Sequence, residues 1–172
     1  MKILVTGGAG FIGSHTIIEL LNAGHEPIAY DNLCNASPVV FDRIKAIPGV
    51  DGPFIEGDIR DADKLREVFA EYDIDCVIHF AGLKAVGESV EKPIEYYDNN
   101  VGGTVKLLEA MRDAGCKNII FSSSATVYGT PQALPLTEDM PKGEATNPYG
   151  RTKSIIAAIL AAVQHAIPDM NV

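Results

Sequence analysis

Three glycines near the start of the chain constrain the fold more than any other feature. A short apolar run of β-forming residues, KILVT at positions 2–6, stops at Gly7, and glycines recur at Gly10 and Gly13. Apolar residues follow helical spacing from Phe11 onward, so the glycines lie where a strand turns into a helix. Glycine permits a tight turn and lets the backbone approach a pyrophosphate at the positive end of the new helix. The pattern predicts a dinucleotide-binding loop.

A carboxylate follows the next predicted strand. The EPIAY segment at 26–30 leads into Asp31, about 20 residues past the loop, where an adenosine ribose 2′-hydroxyl requires an acceptor. The alternative is a glycine-rich turn followed by a helix-capping aspartate, but strand, loop, helix, strand and acid occur here in the expected order. No arginine stands beside Asp31 to neutralise a 2′-phosphate, so we expect NAD rather than NADP as the cofactor.

Apolar runs and helical patterns alternate along the rest of the chain. We predict strands over 2–6, 26–30, 53–56, 76–80 and 118–122, and helices over 10–23, 39–47 (closed by Pro48-Gly49), 101–114 and 149–166, with a further helix capped by Asp61. The strands are continuous apolar runs, as in a parallel sheet that is covered on both faces. We therefore predict an α/β fold with a doubly wound parallel sheet of the Rossmann type, forming one domain over residues 1–172.

Charge and cysteine usage narrow the classes of function. The net charge of −9 argues against general nucleic-acid binding and against attraction to an anionic membrane surface. The three cysteines and four histidines show no metal-ligand spacing, so we expect no metal site and reduced thiols in a cytoplasmic protein. No apolar stretch is long enough to span a bilayer.

The last predicted helix, 149–166, is unusual because it is apolar nearly all round between Ile155 and Val163. A helix that covers one face of a sheet normally carries a polar stripe. Either this helix is buried within the chain, or an exposed apolar face docks on a partner. We favour the second interpretation, with another copy of the same chain as the partner.

The same helix begins with a tyrosine and a lysine four positions apart, Tyr149 and Lys153, which therefore share one helix face. A nearby ammonium favours the phenolate form of a tyrosine, which could then take a proton from an alcohol during hydride transfer to a nicotinamide. Ser124 follows the fifth predicted strand, at the edge where such sheets bind ligands, and could hydrogen-bond the same oxygen. The alternative is that Tyr149 is only a packing residue.

Seven segments resemble one protein family: TGGAGFIGSH at Thr6, DNLCN at Asp31, EGDIRD at Glu56, HFAGLKAVGESV at His79, KPIEYYDNNVGGT at Lys92, FSSSATVYG at Phe121 and NPYGRTK at Asn147. In these segments the chain resembles the extended branch of the short-chain dehydrogenase/reductase superfamily, and within it the nucleotide-sugar 4-epimerases. The similarity covers essentially the whole chain. It implies transient, NAD-dependent oxidation at C4 of a UDP-sugar, which interconverts UDP-glucose and UDP-galactose.

The resemblance also implies roles for individual residues. Ser124, Tyr149 and Lys153 would be catalytic, with Tyr149 as the base, and Lys84, Ser124 and Tyr149 would contact the UDP-sugar. A homodimer would form through helices 101–114 and 149–166. The implied cofactor-binding residues are Gly7, Gly10, Phe11, Ile12, Gly13, Asp31, Asn32, Leu33, Cys34, Asn35, Ala36, Asp58, Ile59, Phe80, Ala81, Gly82, Lys84, Asn99, Ser122, Tyr149 and Lys153.

Two departures from related proteins bear on the function. Related dehydratases and decarboxylases carry an acid at the position of Ala125 or Thr126, and its absence here favours plain epimerisation. Family chains are about twice as long and add a smaller domain that grips the nucleotide sugar. We therefore expect these 172 residues alone to bind NAD weakly and to epimerise poorly or not at all. A non-catalytic NAD-binding module and an epimerase for another nucleotide sugar are the alternatives.

Overall fold

A parallel sheet of five strands organises the molecule, in the order β3-β2-β1-β4-β5. The computed structural model describes residues 1–47, 51–131 and 133–172. The strands are β1 (Lys2–Thr6), β2 (Glu26–Asp31), β3 (Phe54–Glu56), β4 (Cys76–His79) and β5 (Ile119–Phe121). Every neighbouring pair is parallel, so each connection must cross over a face of the sheet. The predicted doubly wound α/β fold is confirmed.

Helices supply these crossovers. They are α1 (Phe11–Asn22), α2 (Val39–Lys45), α3 (Ala62–Tyr72), α4 (Val86–Glu91), α5 (Pro93–Tyr96), α6 (Gly103–Ala114) and α7 (Pro148–Ala166), with a π-helical turn at Tyr97–Gly102 and a 3₁₀ turn at Ala125–Tyr128. Side-chain caps define two of the starts: Asp61 accepts a hydrogen bond from the Lys64 N–H, as predicted, and Asn147 accepts one from the Gly150 N–H.

Two apolar cores lie on opposite faces of the sheet. Leu4 of β1 faces a core formed with α3, α6 and α7, whereas Ile3 and Val5 face a second core formed with α1 and α2. Because both faces are covered, successive residues of the central strand can all be apolar. On β5 the covering is incomplete, since Ile120 is 59% exposed on the α1–α2 side of the sheet.

The structure differs from the sequence predictions mainly between β4 and α6. Residues 86–91 and 93–96 are helical, although no helix is predicted there, and the helix predicted over 101–114 begins only at Gly103. The six residues before it, Tyr97–Gly102, wind as a π-helix. Elsewhere the element ends shift by one or two residues, and the turn predicted at Pro48-Gly49 lies outside the described residues.

Helix α7 buries one stripe and exposes another. Ile156 and Leu160 are 1% and 2% exposed and pack in the core, while Ile155, Ala158, Ala161 and Ala162 face outward. The interpretation that the whole helix is buried within this chain is therefore wrong, and an apolar face remains available to a partner. Within the described ranges, none of the helices combines the length and apolar character that a membrane crossing requires.

Candidate active site

A cavity of about 440 Å³ runs along the carboxyl edge of the sheet. Its size falls within the range of small-molecule sites. Strand β1 lies between β2 and β4 there, so the chain turns to opposite sides of the sheet at this point, which is where such folds bind ligands. The predicted site residues that line it are Gly7, Gly10, Phe11, Ile12, Gly13, Asp31, Asn32, Cys34, Asn35, Ala36, Ile59, Phe80, Ala81, Gly82, Lys84, Asn99, Ser122, Tyr149 and Lys153.

The glycine loop is packed so tightly that side chains are excluded. Gly7 has φ +72, and a Cβ at this position would lie 2.7 Å from the backbone nitrogen of Ala81. A Cβ at Gly13 would strike the Gly7 carbonyl oxygen and lie 2.9 Å from the Gly8 Cα. The start of α1 therefore lies directly against the loop, with its first N–H groups next to the cavity. No acidic residue stands in the first turn of α1 to repel an anion.

Asp31 is tied to the glycine loop. One carboxylate oxygen accepts a hydrogen bond from the Ala9 N–H at 3.0 Å, and the other accepts one from the Leu33 N–H at 2.8 Å. Each oxygen keeps further acceptor capacity, so the carboxylate can also receive a hydroxyl group. Asp31 thus has both a structural contact and the position expected of a ribose acceptor.

Asp58 is held by an ionic cluster at the rim of the cavity. It accepts hydrogen bonds from the Arg60 guanidinium at 2.7 and 3.0 Å and from the Asn32 amide at 3.0 Å. Hydrogen bonds from Arg60 hold the pKa of the Asp58 carboxyl well below its usual range. Arg60 also pairs with Asp98 at 2.8 Å, which links the rim to the π-helical turn. Asp58 itself does not line the cavity, whereas its neighbour Ile59 does.

A buried hydrogen-bond chain crosses beneath the cavity. The hydroxyl of Thr104 donates to the Asn100 carbonyl at 2.6 Å, so it accepts from His79 Nε2 at 2.9 Å. His79 Nδ1 then accepts from the Thr6 hydroxyl at 2.7 Å, which places the proton of a neutral ring on Nε2. Burial, together with the smaller effect of the charge on Lys153, lowers the pKa of His79 to about 3. Both ring nitrogens of His79 therefore have a hydrogen-bond partner.

Asn100 connects the loop after β4 to helix α7. Its side-chain oxygen accepts from the Leu83 N–H at 2.8 Å. Its amide donates to the Leu83 carbonyl at 2.9 Å and to the Thr152 hydroxyl at 3.1 Å. Because Thr152 lies between Tyr149 and Lys153, this one side chain fixes the loop relative to the predicted catalytic pair.

Tyr149 and Lys153 lie on one face of α7 at the cavity wall. The Lys153 ammonium lies 6.0 Å from the centre of the Tyr149 ring and donates a hydrogen bond to the Ser122 carbonyl at 2.8 Å. Lys153 is only 6% exposed, and this burial lowers its pKa to about 8. The spacing of the two residues in the sequence predicted that they share one face, and the structure places them so.

Ser124 and Leu33 do not line the cavity. Ser124 begins the 3₁₀ turn after β5, where its hydroxyl oxygen accepts from the Thr126 N–H at 3.3 Å and from the Thr126 hydroxyl at 2.9 Å. Leu33 has φ 58 and turns its backbone N–H toward Asp31. Leu33 lies between Asn32 and Cys34, which line the cavity, whereas Ser124 lies two residues past Ser122, which also lines it.

Sequence reasoning missed part of the lining, namely Tyr30, Gly57, Ala85, Glu88 and Tyr96. The Tyr96 hydroxyl accepts from the Ala85 N–H at 3.0 Å and lies 2.9 Å from a Glu88 carboxylate oxygen. Burial and the hydrogen bond to Glu88 raise the pKa of Tyr96 to about 12, and burial raises that of Tyr30 also. These two tyrosines are therefore kept protonated, which leaves Tyr149 as the tyrosine beside an ammonium.

The residues present fit a dinucleotide. The tight glycine loop and the first turn of α1 offer backbone N–H groups to a pyrophosphate, and Asp31 offers a carboxylate to a ribose. Tyr149 and Lys153 of α7 line the same cavity, and the Lys153 ammonium donates to the carbonyl of Ser122, another lining residue. A single cavity is thus lined both by a loop suited to an anion and by groups suited to acid–base chemistry.

Comparison with known proteins gives a consistent result. The 172 residues match a UDP-glucose 4-epimerase of Neisseria meningitidis serogroup B at 59% identity over 167 residues, covering 97% of this chain and 49% of that protein. A UDP-glucose 4-epimerase of Bacillus subtilis is 55% identical over 172 residues, covering 100% of this chain and 50% of that protein. The chain spans about half the length of the curated relatives it matches. The resemblance to the cofactor-binding part of such epimerases is confirmed.

Solved structures agree in fold. The UDP-glucose 4-epimerase of Bifidobacterium longum, in complex with NAD⁺ and UDP, superposes with a TM-score of 0.95 at 56% identity, over 98% of this chain and 50% of that one. The enzyme from Stenotrophomonas maltophila, with bound NAD and formylated UDP-arabinopyranose, gives 0.93 at 45% identity, over 96% and 49%. Residues 3–172 match the NAD dependent epimerase/dehydratase family. The parallel sheet, the glycine loop and these similarities together show that the chain belongs to that family, whose cofactor is NAD.

Proposed function

We propose that this chain holds NAD along the carboxyl edge of the sheet and provides the acid–base residues of an enzyme that interconverts UDP-glucose and UDP-galactose. The observation that carries the proposal is the single cavity that is lined both by the glycine loop and by Tyr149 beside the buried Lys153. Relatives that are 59% and 55% identical and are named UDP-glucose 4-epimerases support the choice of substrate. Ala125 and Thr126, in place of an acid, favour epimerisation over dehydration.

We assign each part of the cofactor to a separate group of residues. The glycine loop and the first turn of α1 bind the pyrophosphate, Asp31 binds the adenosine ribose, and Asp58 with Ile59 holds the adenine. When bound, the cofactor supplies the hydride acceptor for oxidation at C4 of the sugar and, once reduced, the hydride donor that restores the C4 alcohol. The other predicted contacts, from Asn32 to Ala36, from Phe80 to Lys84, and at Asn99 and Ser122, line or border the same cavity.

Proton transfer is assigned to Tyr149. Its phenolate accepts the proton of the sugar 4-hydroxyl. After the 4-keto sugar has rotated to present its other face, the same residue returns a proton to that oxygen. The Lys153 ammonium favours the phenolate by its charge. Ser124 hydrogen-bonds the sugar oxygen from the loop after β5, and Lys84 contacts the UDP-sugar from the loop after β4.

We also propose that two copies associate through α6 and α7 and that the protein works in the cytoplasm. The outward apolar stripe of α7 supports the association of two copies. The cytoplasm is a reducing compartment, which agrees with the free thiols at Cys34, Cys76 and Cys116.

Binding of NAD and ionisation of Tyr149 test the proposal without requiring turnover. We expect NAD to raise the melting temperature of the chain, since a ligand that binds only the folded state stabilises it. We further expect the ultraviolet difference spectrum near neutral pH to show one tyrosinate in the NAD complex. That signal should vanish in Tyr149→Phe and persist in the control Tyr128→Phe.

The outcomes separate the alternatives. A non-catalytic NAD-binding module would give the rise in melting temperature without the tyrosinate signal. No rise in melting temperature would show that these 172 residues do not form the cofactor site. Turnover by the 172 residues alone should be poor or absent, and rapid conversion of UDP-galactose by them would contradict that expectation.

A further inference from the structure

The Lys153 ammonium has few polar neighbours for a buried cation. Its Nζ has three hydrogens, and the described structure gives it one acceptor, the Ser122 carbonyl at 2.8 Å. Among the described residues it forms no ion pair with a carboxylate. The side chain is nevertheless only 6% exposed. Burying a charge with so little compensation is costly unless another group stabilises it.

An aromatic face supplies the missing contact. Lys153 Nζ lies over the ring of Phe121, the last residue of β5, at 4.7 Å from the ring centre. A cation within about 6 Å of an aromatic centre is attracted by the ring quadrupole, and the attraction is largest where both partners are desolvated. The Phe121 ring also packs against the His79 ring, with centroids 5.9 Å apart, which limits its movement.

The titratable groups around Lys153 do not supply an alternative anion. His79, at the end of β4, is fully buried and neutral, and Tyr149, on the same helix, faces Lys153 with its ring. Tyr96 from α5 is protonated. Glu88 from α4 lines the same cavity, but its carboxylate is engaged by Lys92 and Tyr96. The ring of Phe121 is therefore the group best placed to favour the charged form of Lys153.

We propose that Phe121 is a positioning residue: the face of its ring holds the Lys153 ammonium, in its charged form, between the Ser122 carbonyl and the Tyr149 ring. The consequence for Tyr149 rests on the proposed function, because a charged Lys153 favours the phenolate that takes the proton. The contact itself concerns two residues of this chain and is measurable without NAD or sugar.

The experiment titrates Lys153 directly. Isotope-labelled lysine Cε is followed by NMR across a pH series in the cofactor-free chain, and the Lys153 resonance is assigned by its absence in Lys153→Arg. Phe121→Leu removes the ring and keeps an apolar side chain, whereas Phe121→Tyr keeps the ring. We expect the Lys153 pKa near 8 in the parent chain and in Phe121→Tyr, and about one unit lower in Phe121→Leu.

Fluorination keeps the test decisive if the leucine variant fails to fold. A ring-fluorinated phenylalanine at position 121 preserves shape but withdraws charge from the ring face, so the Lys153 pKa should fall stepwise as fluorines are added. Fluorination of Phe69, which is buried in α3, serves as the control and should leave the Lys153 pKa unchanged.

The results bear differently on the two proposals. A Lys153 pKa that stays constant or rises when Phe121 loses its ring or gains fluorines would overturn the role of Phe121. Such a result would leave the tyrosinate test of the proposed function intact. A confirmed pKa shift together with no NAD binding would instead contradict the proposed function and leave the contact established.

Discussion

At the scale of single residues, the neutral ring of His79 makes stability depend on pH. Its pKa is about 3 in the folded chain, against an ordinary value of 6.5, because burial disfavours the imidazolium. Between these values the unfolded chain binds a proton that the folded chain does not. The contribution of His79 to stability is therefore fully present above pH 6.5 and is lost as the pH falls toward 3.

As the pH is lowered, we expect the free energy of unfolding to decrease less steeply in His79→Gln than in the parent. Between about pH 5.5 and pH 4.5 the difference in slope should approach about 1.4 kcal/mol per pH unit. Urea unfolding at several pH values measures it. Carboxylates titrate in both proteins, so the difference between the two profiles isolates His79.

The same variant has a cost at neutral pH that serves as an internal check. Glutamine lacks the ring that holds Nδ1 and Nε2 between Thr6 and Thr104, and we expect the poorer hydrogen bonds to cost about 1–3 kcal/mol. Parallel pH profiles for His79→Gln and the parent would show that His79 is not neutral in the folded chain.

The sequence alone predicted the Tyr149–Lys153 side of the site well and the Tyr96–Glu88 side poorly. Tyr149 and Lys153 could be paired from their spacing, because helix geometry fixes which positions share a face. Tyr96 and Glu88 gave no such signal, since they reach the cavity through a tertiary contact with Ala85. The contact of Phe121 with Lys153 was equally hidden, because it joins a strand to a helix 32 positions later (153 − 121).

At the scale of elements, the close approach of α1 to the glycine loop predicts a sharp effect at Gly13. Gly13→Ala places a Cβ against the Gly7 carbonyl and the Gly8 Cα, which are backbone atoms that cannot move aside. We expect the loop to open and NAD affinity to fall at least about tenfold, together with a loss of about 1–3 kcal/mol in stability from overpacking. Calorimetric titration with NAD and urea unfolding measure the two effects.

Gly87→Ala is the matched control for this prediction. Gly87 lies in α4, and a Cβ there meets nothing within 4 Å. The substitution should leave NAD affinity unchanged and stabilise the helix slightly, because alanine has the higher helix propensity. Equal NAD affinity in Gly13→Ala and the parent would refute the tight packing of the loop.

The glycine loop was predictable at this scale, whereas the segment between β4 and α6 was not. A strand, glycines and a helix in sequence have few other solutions. The helices α4 and α5 are short, so their apolar periodicity is too brief to detect. The π-helical turn at Tyr97–Gly102 is rare and has no simple sequence pattern. Asn100 in that turn bonds to Leu83 and Thr152, which only the folded chain brings together.

At the scale of the whole molecule, the strand order determines where the cavity forms. β1 pairs with β2 on one side and with β4 on the other, so the loops after β1 and β4 separate toward opposite faces. The sequence could predict this arrangement from alternating strands and helices, since right-handed crossovers leave few topologies. It could not predict which side of α7 stays exposed, because nearly every position of that helix is apolar.

The exposed apolar stripe of α7 is where we expect two copies of the chain to associate. Ala158 lies on this stripe beside Ile155, on the face of the sheet that α7 shares with α6. If two copies meet there, Ala158→Glu places a charge in an apolar interface and should shift the chain from dimer to monomer in sedimentation velocity. Ala70→Glu adds the same charge at an exposed position of α3 and should leave the dimer intact.

Each copy carries a net charge of −9, so added salt should strengthen the dimer by screening repulsion. A parent chain that sediments as a monomer at all salt concentrations would contradict the homodimer, and an equal effect of both substitutions would move the interface away from α7.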